Sequence, residues 1–150
     1  MPSLEEEIMQ KTFRNEGQKA IINIIYTGNW LTARHSKLLK TFDLSEQQFN
    51  ILRILRGQRP KPASLLLLRE RMLDKMSDVS RLVERLRKSG LVEREVCIND
   101  RRSVEVVISE QGLSMLAEID KHINKLDKIS PRLNATELQT LNALLDKLRG

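Results

Sequence analysis

Residues 77–108 read SDVSRLVERLRKSGLVEREVCINDRRSVEVVI. The first third of this stretch is helical in pattern. On a 100° wheel Val79, Leu82, Val83 and Leu86 fall within one arc of roughly 100°, the face that packs on a core. Ser77, Arg81, Glu84 and Lys88 gather on the opposite side, with Asp78 and Arg85 on one flank and Ser80 and Arg87 on the other. Gly90 then supplies a left-handed stop. Leu91 to Ile98 and Ser103 to Ile108 are rich in β-branched residues, and the polar turn Asn99-Asp100-Arg101-Arg102-Ser103 separates them, so they form a hairpin. A helix followed at once by a ribbon with arginines at its tip suits a duplex: the helix fills a major groove and the tip reaches the next minor groove.

The flanking sequence supplies a frame for this unit. Ser3 with Glu6, Ser45 with Gln48 and Asn134 with Glu137 each have the spacing of a capping box. They predict a short N-terminal helix that Gly17 interrupts, a helix striped by Phe49, Leu52 and Leu55 or Ile51, and a last helix through Leu138, Leu141, Leu145 and Leu148. Gln18 to about Lys40 carries a long apolar pattern. Its β-branched run also reads as a strand, but its length and the later Lys and Arg spacing favour helix. Gly57 and the Pro60-Lys61-Pro62 run stop the Phe49 helix. Ser64 caps a short helix from Leu65 to about Met72, and Asp74-Lys75 turns the chain into a helix from about Met76 to Ser89. Ser109 opens a long helix through Leu113, Leu116, Ile119, Ile123 and Leu126, which Pro131 ends. The expected fold is mainly α with a small β-hairpin: a winged helix-turn-helix domain plus N- and C-terminal dimerisation helices. Residues 45–108 form the winged lobe, and residues 1–40 and 110–150 the helices that a second copy would cover.

Charge points the same way. Between Arg53 and Arg102 there are 14 Lys and Arg against 7 Asp and Glu, while the rest of the chain has 12 against 13. The whole excess of the +6 net charge therefore sits in the middle third, as a phosphate-facing surface requires. Aromatics are only 3% of the chain, so Leu, Ile and Val must build the core. With Cys97 as the single cysteine there is no internal disulfide and no thiolate metal cluster, which suits a reducing compartment. The acidic N-terminus Ser3-Leu4-Glu5-Glu6-Glu7 lacks a signal core, and no apolar run is long enough to span a bilayer, so a cytoplasmic protein is expected, with no membrane partner.

Arg81 is placed to donate two hydrogen bonds to guanine, with Ser77, Ser80 and Arg85 reaching bases or phosphates. At the wing tip Arg101 and Arg102 repel one another, which gives stability no reason to place them together; insertion into a narrow minor groove is such a reason. Asp100 can orient Arg102 by a charge-assisted hydrogen bond.

These residues carry a resemblance. Val79-Ser80-Arg81-Leu82-Val83-Glu84-Arg85-Leu86, Gly90-Leu91-Val92-Glu93-Arg94, Asp100-Arg101-Arg102 and Val107-Ile108-Ser109-Glu110-Gln111-Gly112 together resemble the winged helix of the MarR (multiple antibiotic resistance regulator) family of bacterial transcription factors. Asp100 and Arg102 meet the family's Asp-x-Arg wing pattern, and Ile108-Ser109 stands where Leu-Thr is usual. The flanking helices follow the family's order, so the likeness covers nearly the whole chain. The resemblance implies a homodimer that reads a roughly palindromic, inverted-repeat operator on double-stranded DNA through Ser77, Ser80, Arg81, Arg85, Asp100 and Arg102. It further implies a repressor or activator relieved by a small molecule or by oxidation, with no catalysis.

Other residues read two ways. The resemblance implies a cleft for a small aromatic or phenolic effector; Tyr26, Trp30, His35, Phe42 and Phe49 either line it or simply pack the core. Cys97 is either a redox switch or a small filler in a wing strand. His35 and His122 are too few and too scattered for a metal site, and no phosphate loop, nucleophile elbow or His-Glu pair is present, so neither cofactor nor enzyme activity is expected. The rival to DNA readout is a winged-helix protein–protein interaction module whose basic face is incidental.

Overall fold

In the computed structural model, residues 2–96, 103–126 and 132–150 are described. The chain runs α1 (Leu4–Glu7), α2 (Glu16–Leu39), a 3-10 turn (Lys40–Phe42), α3 (Glu46–Gln58), β1 (Ala63–Ser64), α4 (Leu65–Arg71), α5 (Val79–Lys88), β2 (Val92–Val96), β3 (Val104–Ile108), α6 (Glu110–Leu126) and α7 (Ala135–Arg149). The three expected capping boxes at Ser3, Ser45 and Asn134 are all formed, each with side chain and backbone bonded reciprocally.

Three local expectations are corrected. Gly17 does not interrupt a helix: Asn15 accepts from the Gln18 amide as N-cap, and Gly17 falls inside the first turn of α2. Gly57 likewise lies within α3, which runs one residue further. A single glycine costs a helix about 1 kcal/mol against alanine, too little to end one held by a buried stripe. Helix α5 starts at Val79 rather than Met76, because Asp78 is the N-cap and accepts from the Arg81 amide.

One core holds the lobe together. Phe49, Ile51, Leu52, Ile54 and Leu55 of α3 pack with Leu68 of α4, Val79, Val83 and Leu86 of α5, and Leu116 and Ile119 of α6. The expected hairpin is the larger part of a three-stranded antiparallel sheet, in the order β1-β3-β2. Val92 pairs with Ile108 and Val96 with Val104 across β2 and β3, and β1 adds Ala63 opposite Val106 and Ser64 opposite Glu105. A two-residue strand carries no periodic signal, so only the fold reveals it. Ser64 closes β1 and also caps α4, accepting from the Leu67 amide at 3.1 Å.

The wing's root is clamped at two glycines. Gly90 has φ +75° and ends α5 as the sequence predicts. Ser109 donates to Gly90 O at 2.6 Å and accepts from the Gly112 amide at 3.1 Å, which fixes the start of α6 against the end of α5. Gly112 is required there: a Cβ would strike Leu91 O and lie 2.7 Å from Ile108 Cγ1.

The terminal helices leave apolar surface uncovered. Ile21, Ile25 and Trp30 of α2 and Leu141, Leu144 and Leu148 of α7 are all exposed, and no residue of α7 is buried. No helix among the described residues is long and apolar enough to cross a membrane.

Candidate nucleic-acid interface and adjoining cavity

Helix α5 is divided as its wheel predicts. Val79, Val83 and Leu86 are buried and Leu82 packs partly against the core. The opposite face is open: Arg81 is 73% exposed, with Asp78 the nearest carboxylate at 4.0 Å. Arg85 is exposed and Ser80 half-buried. Ser77 lies outside the helix, where its hydroxyl donates to Asp74 O at 2.8 Å and so helps fold the turn that leads into α5. Asp100, Arg101, Arg102 and Cys97 lie outside the described residues.

A contact that the sequence reading missed joins this helix to the wing. Arg87 grips Glu84 with two hydrogen bonds, 2.7 Å to Oε1 and 3.1 Å to Oε2, and Arg94 of β2 reaches Oε2 at 3.3 Å. The Arg87 hydrogen bonds, with the Arg87 and Arg94 charges, hold the Glu84 carboxyl below its ordinary range. The Glu84–Arg87 half, at i and i+3, is visible in sequence; the Arg94 half depends on how β2 returns along α5.

Between α2, α3 and the α4–α5 turn lies a cavity of about 420 Å³. His35 and Phe49 line it, as do Glu46, Arg53, Met72 and Leu73. The other three aromatic candidates lie elsewhere. Tyr26 donates to Glu7 Oε2 at 2.7 Å, Trp30 carries Arg34 over its ring at 4.8 Å, and Phe42 stacks at a tilt on His122, 6.4 Å between centroids. The polar wall went unread, although Glu46, Asn50 and Arg53 stand at i, i+4 and i+7 on one face of α3. Burial raises the Glu46 carboxyl above its ordinary range, against the opposing pull of the His35 charge and a hydrogen bond from Ser36. Asp74, at the cavity's edge, ties the wall to the turn that leads into α5: Gln47 of α3 donates to Oδ2 at 3.3 Å and the Met76 amide to Oδ1 at 3.0 Å. No group of three or more potential metal ligands occurs among the described residues.

The helix-turn-helix and the sheet behind it are shared with known proteins. The MarR family model matches residues 44–104. A MarR transcription factor from Planctomyces limnophilus is 30% identical, with 90% of this chain and 98% of that one aligned at a TM-score of 0.69. The chain belongs to the MarR family. As a MarR-family chain it is a winged-helix transcription regulator. Two regulators from Streptomyces coelicolor share the fold at lower identity. AbsC is 23% identical, with 93% of this chain and 96% of that one covered and a TM-score of 0.78. Sco3205, solved in complex with DNA, is 18% identical, with 92% of each chain covered and a TM-score of 0.80.

Proposed function

We propose that this MarR-family regulator acts as a homodimer on an inverted-repeat operator, with α5 in the major groove and the wing in the adjacent minor groove. One observation carries the reading: α5 buries Val79, Val83 and Leu86 and turns Arg81 and Arg85 outward beside the sheet that bears the wing. Similar architecture in Sco3205 was solved with DNA bound. Ser80, Arg81 and Arg85 supply the helix contacts, and Asp100, Arg101 and Arg102 those of the wing; Ser77 shapes the approach to the helix. The dimer rests on the exposed Ile21, Ile25, Leu141, Leu144 and Leu148, which a second copy buries. Repression is relieved by a small molecule in the α2–α3 cavity, whose wall includes the Leu73-Asp74 turn just ahead of α5.

Selection of bound duplexes from a random pool, followed by binding titrations across salt, tests this. A recovered palindrome bound far more tightly than random duplex, with affinity falling steeply as salt rises, is the expected result. Equal affinity for every duplex removes base readout, and the absence of any salt-dependent duplex affinity favours a protein–protein module instead.

A further inference from the structure

Among the described residues, and Met9 aside, the exposed large apolar side chains fall into three groups. Those of α2 and α7 belong to the faces that a second copy covers. The third group, Leu66, Leu73 and Met76, surrounds the helix-turn-helix. Leu73 lines the cavity already described, whereas Met76 does not and is 92% exposed. The turn that carries Met76 is firmly built. Its amide donates to Asp74 Oδ1 at 3.0 Å, and the Ser77 amide and hydroxyl both donate to Asp74 O, at 3.2 and 2.8 Å. Gln47 of α3 holds the same Asp74 carboxylate, and the Leu73 amide donates to Asn50 Oδ1 at 2.9 Å. An apolar side chain is thus presented from a fixed backbone two residues ahead of the Asp78 N-cap, at the end of α5 whose residues meet base edges when such a helix enters a groove.

Resting on the DNA-binding reading above, we propose that Met76 is a specificity-determining residue, which packs on the C5 methyl of a thymine in each half-site. That methyl is what marks thymine in the major groove, and it takes an apolar contact rather than a hydrogen bond. Every other exposed residue from 74 to 88 is charged, so Met76 alone is equipped for it on this stretch. Methionine is unbranched and has three rotatable bonds and a polarisable thioether, which lets it fit an irregular surface such as a groove floor. The surrounding charge selects a duplex over a protein as the occupant. Residues 74–88 carry five Lys and Arg against three Asp and Glu, which suits a polyanion. The centre of a protein interface is instead depleted of charge.

Deoxyuridine lacks only the thymine methyl and pairs with adenine in the same way, so a uracil scan of the selected operator tests the contact. The recovered half-site should hold an invariant thymine. Replacing it should cost the wild type about fourfold in affinity, the usual worth of one buried carbon. Met76→Ala should weaken the unmodified operator by a similar factor and then lose nothing further on uracil replacement at that position. Its melting temperature and its affinity for random duplex should match the wild type; a merely structural role would weaken every duplex alike. Met76→Gln, of similar length, serves the same comparison if the alanine variant misfolds, and the wild-type scan needs no variant. A half-site without an invariant thymine, an operator that tolerates uracil everywhere, or a Met76→Ala protein as uracil-sensitive as the wild type at every position overturns the proposal while operator recognition stands. A pool that yields no preferred sequence removes base readout itself, and this contact with it.

Discussion

Glu84 of α5 lies 3.3 Å from Arg94 of β2, so one carboxylate joins the helix to the wing. Because the folded state lowers the Glu84 pKa, the pair stabilises the fold at neutral pH. That contribution is lost as pH falls below the ordinary carboxylate value near 4.5 and through the folded one. Glu84→Gln should remove part of the wild type's acid-side loss, read as melting temperature against pH. It should also loosen the wing and lower the ratio of operator to random-duplex affinity.

Glu46 has the opposite sign. Its raised folded pKa means that the unfolded chain releases this proton first, so ionisation works against folding as pH rises past the unfolded value. Glu46→Gln should therefore melt higher than the wild type at pH 7, with the difference closing on acidification. A variant less stable at pH 7 would show that the carboxylate is satisfied by its surroundings.

Arg81 tests base readout. Its side chain is 73% exposed. Arg81→Ala should leave melting unchanged, cost about 1–3 kcal/mol of operator binding and relax sequence preference at one position per half-site. An even loss across all duplexes would instead mark it as a phosphate contact.

Two glycines provide a matched pair for stability. Gly112→Ala drives a methyl against Leu91 O and Ile108 and should cost about 1–3 kcal/mol by chemical denaturation. Gly57→Ala meets nothing within 4 Å inside α3 and should stabilise by about 0.5–1 kcal/mol.

The tails test assembly. Leu144 and Leu148 are 59% and 60% exposed on α7. The double change Leu144→Glu and Leu148→Glu should shift sedimentation to a monomer and abolish tight operator binding, with the lobe's helicity retained.

The parts of this molecule that local chemistry determines are legible in the sequence. Capping boxes at Ser3, Ser45 and Asn134, the left-handed Gly90 and the buried stripe of α5 each follow from residues a few positions apart. What escaped depends on distant partners. Ala63 is a strand residue only because Val106 stands opposite it, and Arg94 is an ion-pair partner only because β2 lies along α5. The cavity was half legible for the same reason. Aromatic content pointed to His35 and Phe49, but Tyr26, Trp30 and Phe42 found other neighbours, and the polar stripe of α3 became a wall only once α2 crossed it.

Ser64 holds two posts at once: its backbone is a rung opposite Glu105, and its hydroxyl begins the next helix at Leu67. Wing and helix-turn-helix are therefore joined rigidly here, as they are at Glu84 and Arg94. A tilt imposed on α4 is carried into β3 through this rung rather than across a flexible joint. Both reading heads of a half-site would then swing together, so release from DNA should come as one event, with the minor-groove grip lost in the same step as the major-groove one.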